Sequence, residues 1–102
     1  MIIRIVKMEF VKERVPDFLK IFAASRKAIR SFPGCTRLQL LQENADSCVF
    51  FTYSHWETEA DLNSYRDSDL FQEVWCETKK LFRVGPKAWS LTDQTAANCH
   101  DS

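Results

Sequence analysis

The stretch that decides the fold is residues 49–75, which read VFFTYSHWETEADLNSYRDSDLFQEVW. Residues 49–56 are mostly β-branched or aromatic, as is typical of a buried or half-buried strand. Thr58 follows and can cap a helix. Asp61, three residues later, stands where its side chain can accept a hydrogen bond from the backbone N–H of Thr58. Residues 67–69 (DSD) mark a second helix start. The side chains after it follow a helical spacing that forms one aromatic-rich stripe: Leu70, Phe71, Val74, Trp75, Thr78, Leu81 and Phe82. The stretch therefore predicts one strand followed by two short helices.

The preceding residues predict a strand and a long helix. Residues 2–10 carry apolar side chains at both odd and even positions, so both faces of this first strand should be covered. Pro16 is tolerated only in the first turn of a helix. Gly34 can close the helix by taking the left-handed conformation. The apolar positions of the helix recur at helical spacing: Val15, Phe18, Leu19, Phe22, Ile29 and Phe32.

The remaining segments complete a β-α-β-β-α-β order. Residues 37–42 predict a second strand that pairs as a hairpin with the strand at 48–56, since residues 43–47 are polar and turn-prone. Residues 84–87 are expected to form a turn, and residues 88–92 a short last strand. This order predicts an α+β fold, a ferredoxin-like βαββαβ domain with a four-stranded antiparallel sheet. The expected boundaries are a domain at 1–93 and a flexible tail at 94–102.

Composition excludes several classes of function. The 102 residues carry 14 basic and 14 acidic side chains, so no concentrated basic face for nucleic acid is expected. No apolar run reaches the roughly 18 residues of a membrane span. Four cysteines without CxxC spacing predict no metal site and a reduced, cytoplasmic protein. No glycine-rich phosphate loop is present, so no nucleotide cofactor is indicated.

The sheet face without helices should be covered by a second copy of the chain. The strands are apolar on both sides, and large uncovered apolar patches are rare on monomers. We therefore expect an obligate homodimer whose interface includes some of the following residues: Phe51, Tyr53, His55, Trp56 and Trp89.

Several motifs resemble the antibiotic biosynthesis monooxygenase (ABM) domain family. They are residues 50–57 (FFTYSHWE) with Leu62 and Tyr65, followed by 68–71 (SDLF) and 86–89 (PKAW), and the resemblance spans about residues 2–92. It implies a dimeric α+β barrel with a site between the sheet and the helices. Members of the family include cofactor-independent oxygenases acting on phenols or anthrones, haem-degrading monooxygenases, and isomerases that process a furanone-derived signal.

The resemblance also argues against haem degradation. The haem-degrading branch uses an Asn on the first strand, a Trp in the short helix and an axial His in the next helix. The matching positions here are Val6, Tyr65 and Trp75, and an indole cannot ligate iron. Neither His55 nor His100 stands at the axial position.

We predict that Tyr65, Trp75 and His55 are the catalytic candidates, for different reasons. The hydroxyl of Tyr65 and the indole N–H of Trp75 suit stabilisation of an oxyanion, although aromatic residues at helical spacing also serve packing. His55 is suited to proton transfer, with a structural or interface role as the alternative. Arg4 could hold a carboxylate or phenolate, or pair with the second subunit. The expected substrate-binding residues are Arg4, Val6, Met8, Phe22 and Phe71.

The function that follows is a cofactor-independent monooxygenase acting on a small hydrophobic phenolic or quinol-like molecule. It requires neither metal nor cofactor. The alternatives are a non-catalytic small-molecule-binding dimeric module, an isomerase of the signal-processing branch, and an accessory protein with a vestigial pocket.

Overall fold

The strands and helices follow one another in the order that the sequence predicts. The computed structural model describes residues 1–95. Its strands are β1 (Ile2–Phe10), β2 (Cys35–Gln42), β3 (Val49–Trp56) and β4 (Phe82–Leu91). Its helices are α1 (Val15–Arg30), α2 (Glu59–Arg66) and α3 (Asp69–Lys79), and a 3-10 turn at Lys12–Arg14 precedes α1. The antiparallel sheet has the order β2-β3-β1-β4, which confirms the ferredoxin-like α+β fold.

Side-chain caps set the starts of the two short helices. Thr58 Oγ1 accepts a hydrogen bond from the backbone N–H of Asp61 at 3.0 Å, and Ser68 Oγ accepts one from Phe71 at 3.1 Å. Each cap satisfies an amide that has no partner within its helix. The two caps therefore start α2 shortly after β3 and α3 shortly after α2, as the sequence predicts.

Gly34 turns the chain from α1 into β2. Its φ angle is +89°, in the left-handed region that favours glycine. Its carbonyl accepts a hydrogen bond from the N–H of Glu57 at 2.8 Å, which ties this turn to the end of β3. A Cβ at this position would collide with the side chain of Asp61, so the turn also packs closely against α2.

The two faces of the sheet differ in what covers them. The helix face carries the even-numbered side chains of β1 and β3, including Met8, Phe10 and Trp56, all of them buried. The helix-free face carries the odd-numbered ones and their strand partners. Its apolar and aromatic members include Ile3, Ile5, Phe51, Tyr53, His55, Trp89 and Leu91, and its charged members include Lys7, Glu9, Arg37 and Lys87. No other part of the described chain covers this second face, and Trp89 and Leu91 are exposed.

Two clusters of buried side chains form the core. The larger joins Met8, Phe10, Phe18, Phe50 and Leu81 between the sheet, α1 and the end of α3. The smaller joins Cys35, Trp56 and Leu62. Partly buried aromatic residues connect the two clusters, and a cavity lies between them.

Two local predictions are wrong. Residues 84–87 belong to β4 rather than to a turn, and α3 ends at Lys79, before Leu81 and Phe82. The chain turns earlier because the Leu81 N–H bonds the carbonyl of Thr78, while Val11 donates to the carbonyl of Leu81. Pro86 is tolerated within β4 because an edge strand has one side free of ladder partners. The register shifts beside Glu9 absorb the irregular backbone.

Trp56 lies on the helix face, so its predicted place in the helix-free interface is wrong. Its indole is 1% exposed and its Nε1–H donates to Ser54 Oγ at 3.0 Å. The predicted tail at 94–102 lies mainly outside the described residues, as do Cys99 and His100.

Candidate functional site

A cavity of about 330 Å³ lies between the helix face of the sheet and the helices. This volume is at the lower end of the range of small-molecule sites, roughly 300–1,000 Å³. β1 and β3 form its floor, and α1, α2 and α3 form its walls. Most of the side chains that line it are apolar: Val6, Met8, Phe18, Phe22, Ile29, Leu38, Trp56, Leu62, Phe71, Val74, Trp75, Pro86 and Ala88.

An unbroken series of aromatic contacts forms one wall. The ring of Tyr65 stacks on Trp56 with centroids 4.9 Å apart, and Phe71 meets its edge at 5.2 Å. Phe71 in turn stacks on Trp75 at 5.8 Å with an interplanar angle of 15°. Such contacts hold each ring in one orientation. The wall therefore presents fixed π-faces to a ligand in the cavity.

The hydroxyl of Tyr65 has no hydrogen-bond partner among residues 1–95. Burial raises the pKa of Tyr65 to about 12, with a smaller contribution from the nearby Cys35 thiol. The phenol is therefore neutral at physiological pH. It can donate a hydrogen bond into the cavity but is a poor base.

Trp75 offers a second donor, whereas Trp56 does not. The indole N–H of Trp75 has no partner among the described residues, and its side chain is half-buried against the cavity. The N–H of Trp56 is already bonded to Ser54. Two of the three aromatic polar groups in the wall are thus available to a ligand.

One end of the cavity is cationic. Arg4, on β1, donates from Nη1 to Ser90 Oγ at 2.8 Å, and Arg66, at the end of α2, lines the same space. Burial lowers the pKa of Arg4, and the positive charge of Arg66 lowers it further. A guanidinium nonetheless stays protonated at physiological pH. This end of the cavity therefore carries two positive charges.

The structure brings together all but one of the residues that the sequence singled out. Those that line the cavity are Arg4, Val6, Met8, Phe22, Tyr65, Phe71 and Trp75. His55 lies on the opposite, helix-free face, where it pairs with Ile3 across the sheet. Its Nε2 lies 2.8 Å from the hydroxyl of Tyr53. Strand alternation excludes His55 from a cavity that Ser54 and Trp56 line.

Sequence reasoning missed Arg66 and the cavity role of Trp56. The alternation of β3 could have indicated Trp56, because it shares a face with the small polar residues Thr52 and Ser54, which also line the cavity. Arg66 had no such signal, since a basic residue in the last turn of a helix is common.

The side chains of the cavity do not fit haem ligation of the resembling kind. Trp75, which the resemblance matches to the axial ligand, has an indole that offers no ligand to iron, and Tyr65 is kept neutral by its raised pKa. The cavity lining includes no histidine. Within residues 1–95, no group of three or more His, Cys, Asp or Glu side chains could hold a metal ion.

Within the described part of the chain, no helix has the length and apolar character needed to cross a membrane.

The fold is a ferredoxin-like domain with a cavity between the sheet and the helices. The sequence model of the family described as antibiotic biosynthesis monooxygenase matches residues 1–75, and the chain belongs to that family. No curated protein matches the sequence.

Solved structures agree on the fold. A crystal structure of an antibiotic biosynthesis monooxygenase superposes with a TM-score of 0.85 at 16% identity, covering 91% of this chain and 98% of that one. A conserved protein from Methanosarcina mazei Go1 gives 0.84 at 19% identity, with 91% and 93% covered. Rv0793 from Mycobacterium tuberculosis gives 0.81 at 15% identity, with 90% and 93% covered.

Proposed function

We propose that this protein is a cofactor-independent monooxygenase that oxidises a small hydrophobic phenolic molecule in the cavity. The observation that carries the proposal is the Tyr65 hydroxyl, neutral and without a partner among residues 1–95, in an aromatic-walled cavity. A group of this kind is suited to stabilise a developing oxyanion, because it can donate a hydrogen bond from a mostly apolar wall.

The chemistry must come from the substrate. An anthrone-type molecule loses a proton and becomes an enolate, which reduces oxygen by donating electrons to it. One oxygen atom becomes a new carbonyl on the carbon that loses its two hydrogens, and the other leaves as water. Tyr65 and Trp75 donate hydrogen bonds to the substrate's own oxygen in this step. The apolar walls hold the flat rings and exclude water.

The cavity has no evident general base among residues 1–95. The ionisable residues that line it are Arg4, Tyr65, Arg66 and Lys87, of which Lys87 pairs with Lys7, a residue of the helix-free face. The substrate is therefore expected to bind as an anion already formed in solution, or to ionise because the nearby positive charges stabilise its enolate. This restricts the proposed reaction to substrates that ionise readily.

Oxygen uptake with anthrone, without added cofactor, tests the proposal. Tyr65→Phe and Trp75→Phe should each lower the rate, by roughly 10²–10³-fold where the removed donor meets the oxyanion. Tyr53→Phe is the matched control, since Tyr53 lies on the helix-free face and should leave the rate unchanged. A rate for the wild-type protein no greater than that of buffer, across a panel of anthrones and hydroquinones, would overturn the proposal.

A non-catalytic binding module is the second candidate. The observation in its favour is the same lack of a general base in the described cavity lining. Under this reading, the panel ligands raise the melting temperature of the protein, but none is turned over above the buffer rate.

We also propose that the working unit is a homodimer joined through the helix-free face. Support comes from the apolar side chains on that face that the described chain leaves uncovered, among them Trp89 at 42% and Leu91 at 43% exposed. The cysteines within residues 1–95 are free thiols: Cys35, Cys48 and Cys76. Free thiols suit the reducing cytoplasm that we propose as its location.

A further inference from the structure

Arg4 occupies an unusual place for a charged residue. β1 is a central strand, and the other side chains it directs to the helix face are all apolar: Ile2, Val6, Met8 and Phe10. Arg4 lies opposite Ser54 on one side and Ser90 on the other, so a short polar row crosses an otherwise apolar floor. Partial burial of a charge is costly unless the charge is paired.

No carboxylate pairs with Arg4 or Arg66 among residues 1–95. The ion pairs of the described chain are Arg14–Asp17, Lys80–Glu77 and Arg83–Glu9. The hydrogen-bond acceptor of Arg4 is the neutral hydroxyl of Ser90. The charged group that acts on Arg4 is Arg66, which has the same sign. Two like charges thus line the same cavity, and neither has a carboxylate within ion-pair distance among residues 1–95.

Arg66 also joins the cavity to a smaller one of about 260 Å³. Leu62 and Arg66 line both, and Ser90 lines the smaller one. The smaller cavity includes one carboxylate, that of Glu59, which makes no ion pair with Arg66. The space around the two guanidinium groups is therefore large enough for a substituent that extends beyond the aromatic slot.

We propose that Arg4 and Arg66 form a subsite for an oxyanion head group, a carboxylate or a phosphate ester, carried on the aromatic body of the ligand. This inference rests on the proposed function for the reaction but specifies the class of ligand. Each guanidinium presents up to five N–H donors in a planar fork that matches such an oxyanion. Arg4 uses one donor on Ser90, which also holds its side chain in place. An anion between the two groups removes their mutual repulsion.

Binding of three ligands that share one ring system tests the inference. They are 2-naphthoate, 2-naphthyl phosphate and 2-naphthamide, which differ in head group and have no hydroquinone or anthrone carbon to oxidise. We expect calorimetry to show at least about tenfold tighter binding of one or both anions than of the neutral amide. The anion that binds more tightly distinguishes a carboxylate head group from a phosphate.

The variants Arg4→Gln and Arg66→Gln identify the groups responsible. Each should remove most of the preference for the anion, while the affinity for 2-naphthamide stays unchanged. Unchanged amide binding also shows that the cavity is intact. Arg26→Gln is the matched control, because Arg26 is exposed on α1 and does not line the cavity. It should preserve the preference.

The outcomes separate this inference from the proposed function. Equal binding of the three ligands, or no binding by any of them, overturns the subsite. An anion preference that survives in both Arg4→Gln and Arg66→Gln overturns it as well. A preference that these variants remove, in a protein that consumes no oxygen with any phenol, supports the subsite and overturns the oxygenase.

Discussion

The ring of Tyr65 lies stacked against the indole of Trp56, with centroids 4.9 Å apart and ring planes 23° from parallel. Trp56 is itself immobilised, because its N–H is bonded to Ser54 beneath it. This contact joins α2, which carries Tyr65, to β3, which ends at Trp56 in the floor of the cavity. It fixes the direction of the Tyr65 hydroxyl, the polar group on which the proposed function depends.

Tyr65 should make the stability of the protein depend on pH at the alkaline end. Its pKa is about 12 in the folded protein and about 10 in an unfolded chain. Below pH 10 both states are neutral and the contribution is fully present. Between the two pKa values only the unfolded state ionises, so the free energy of unfolding falls by roughly 1.4 kcal/mol per pH unit.

The test is urea unfolding at pH 9 and pH 11. Between pH 9 and pH 11, we expect the free energy of unfolding to fall by about 1–2 kcal/mol more in the wild-type protein than in Tyr65→Phe. Tyr53→Phe retains Tyr65 and should lose as much as the wild type. Equal losses in the wild type and Tyr65→Phe would show that burial does not perturb this phenol.

Gly34→Ala should destabilise the fold. The residue has a φ of +89°, and a Cβ there would collide with the side chain of Asp61. Strain of this kind costs roughly 1–3 kcal/mol. Gly85→Ala is the matched control, since a Cβ at Gly85 has no neighbouring atom within 4 Å. Chemical denaturation of the two variants measures the difference, and equal stabilities would contradict the expected strain.

The proposed homodimer should depend on the helix-free face. At micromolar concentration, sedimentation should give twice the monomer mass of 11.9 kDa, with an interface on the order of 2,000 Å². Trp89→Glu should shift the protein to monomer, because it places a charge in an apolar contact. Leu19→Glu is the control, since Leu19 is exposed to a similar degree on α1. A wild-type protein that sediments as a monomer would refute the proposal.

Haem should not be degraded by this protein. The resemblance matches Val6, Tyr65 and Trp75 to the groups that position and ligate haem in the haem-degrading branch, and none of the three is the residue used there. With hemin, a reductant and air, we expect the Soret band to persist. Catalase belongs in every reaction, because peroxide alone bleaches haem. Rapid loss of the band that requires folded protein and resists catalase would show that the residue matching is wrong.

The sequence was sufficient where neighbouring residues decide the structure. The strand at 2–10 and the caps at Thr58 and Ser68 are set by alternation and by hydrogen bonds that span three residues. The aromatic spacing of Phe71 and Trp75 likewise places both on one side of a helix. These local patterns predicted the fold and seven of the residues that line the cavity.

Local patterns were insufficient where the partner is distant in sequence. Residues 84–87 contain Gly85 and Pro86 and have the composition of a turn. They are extended because they pair with β1 as part of β4, an edge strand, where Pro is tolerated.

What the sequence by itself determined is the order of the elements, the helix caps and the sets of side chains that share a face. Alternation groups Phe51, Tyr53 and His55, but it cannot say which side the helices cover. Only tertiary packing decided that His55 faces away from the cavity and that Arg66 lines the same cavity as Arg4. The reason is physical: periodicity relates residues along one element, whereas burial and charge proximity depend on how separate elements pack together.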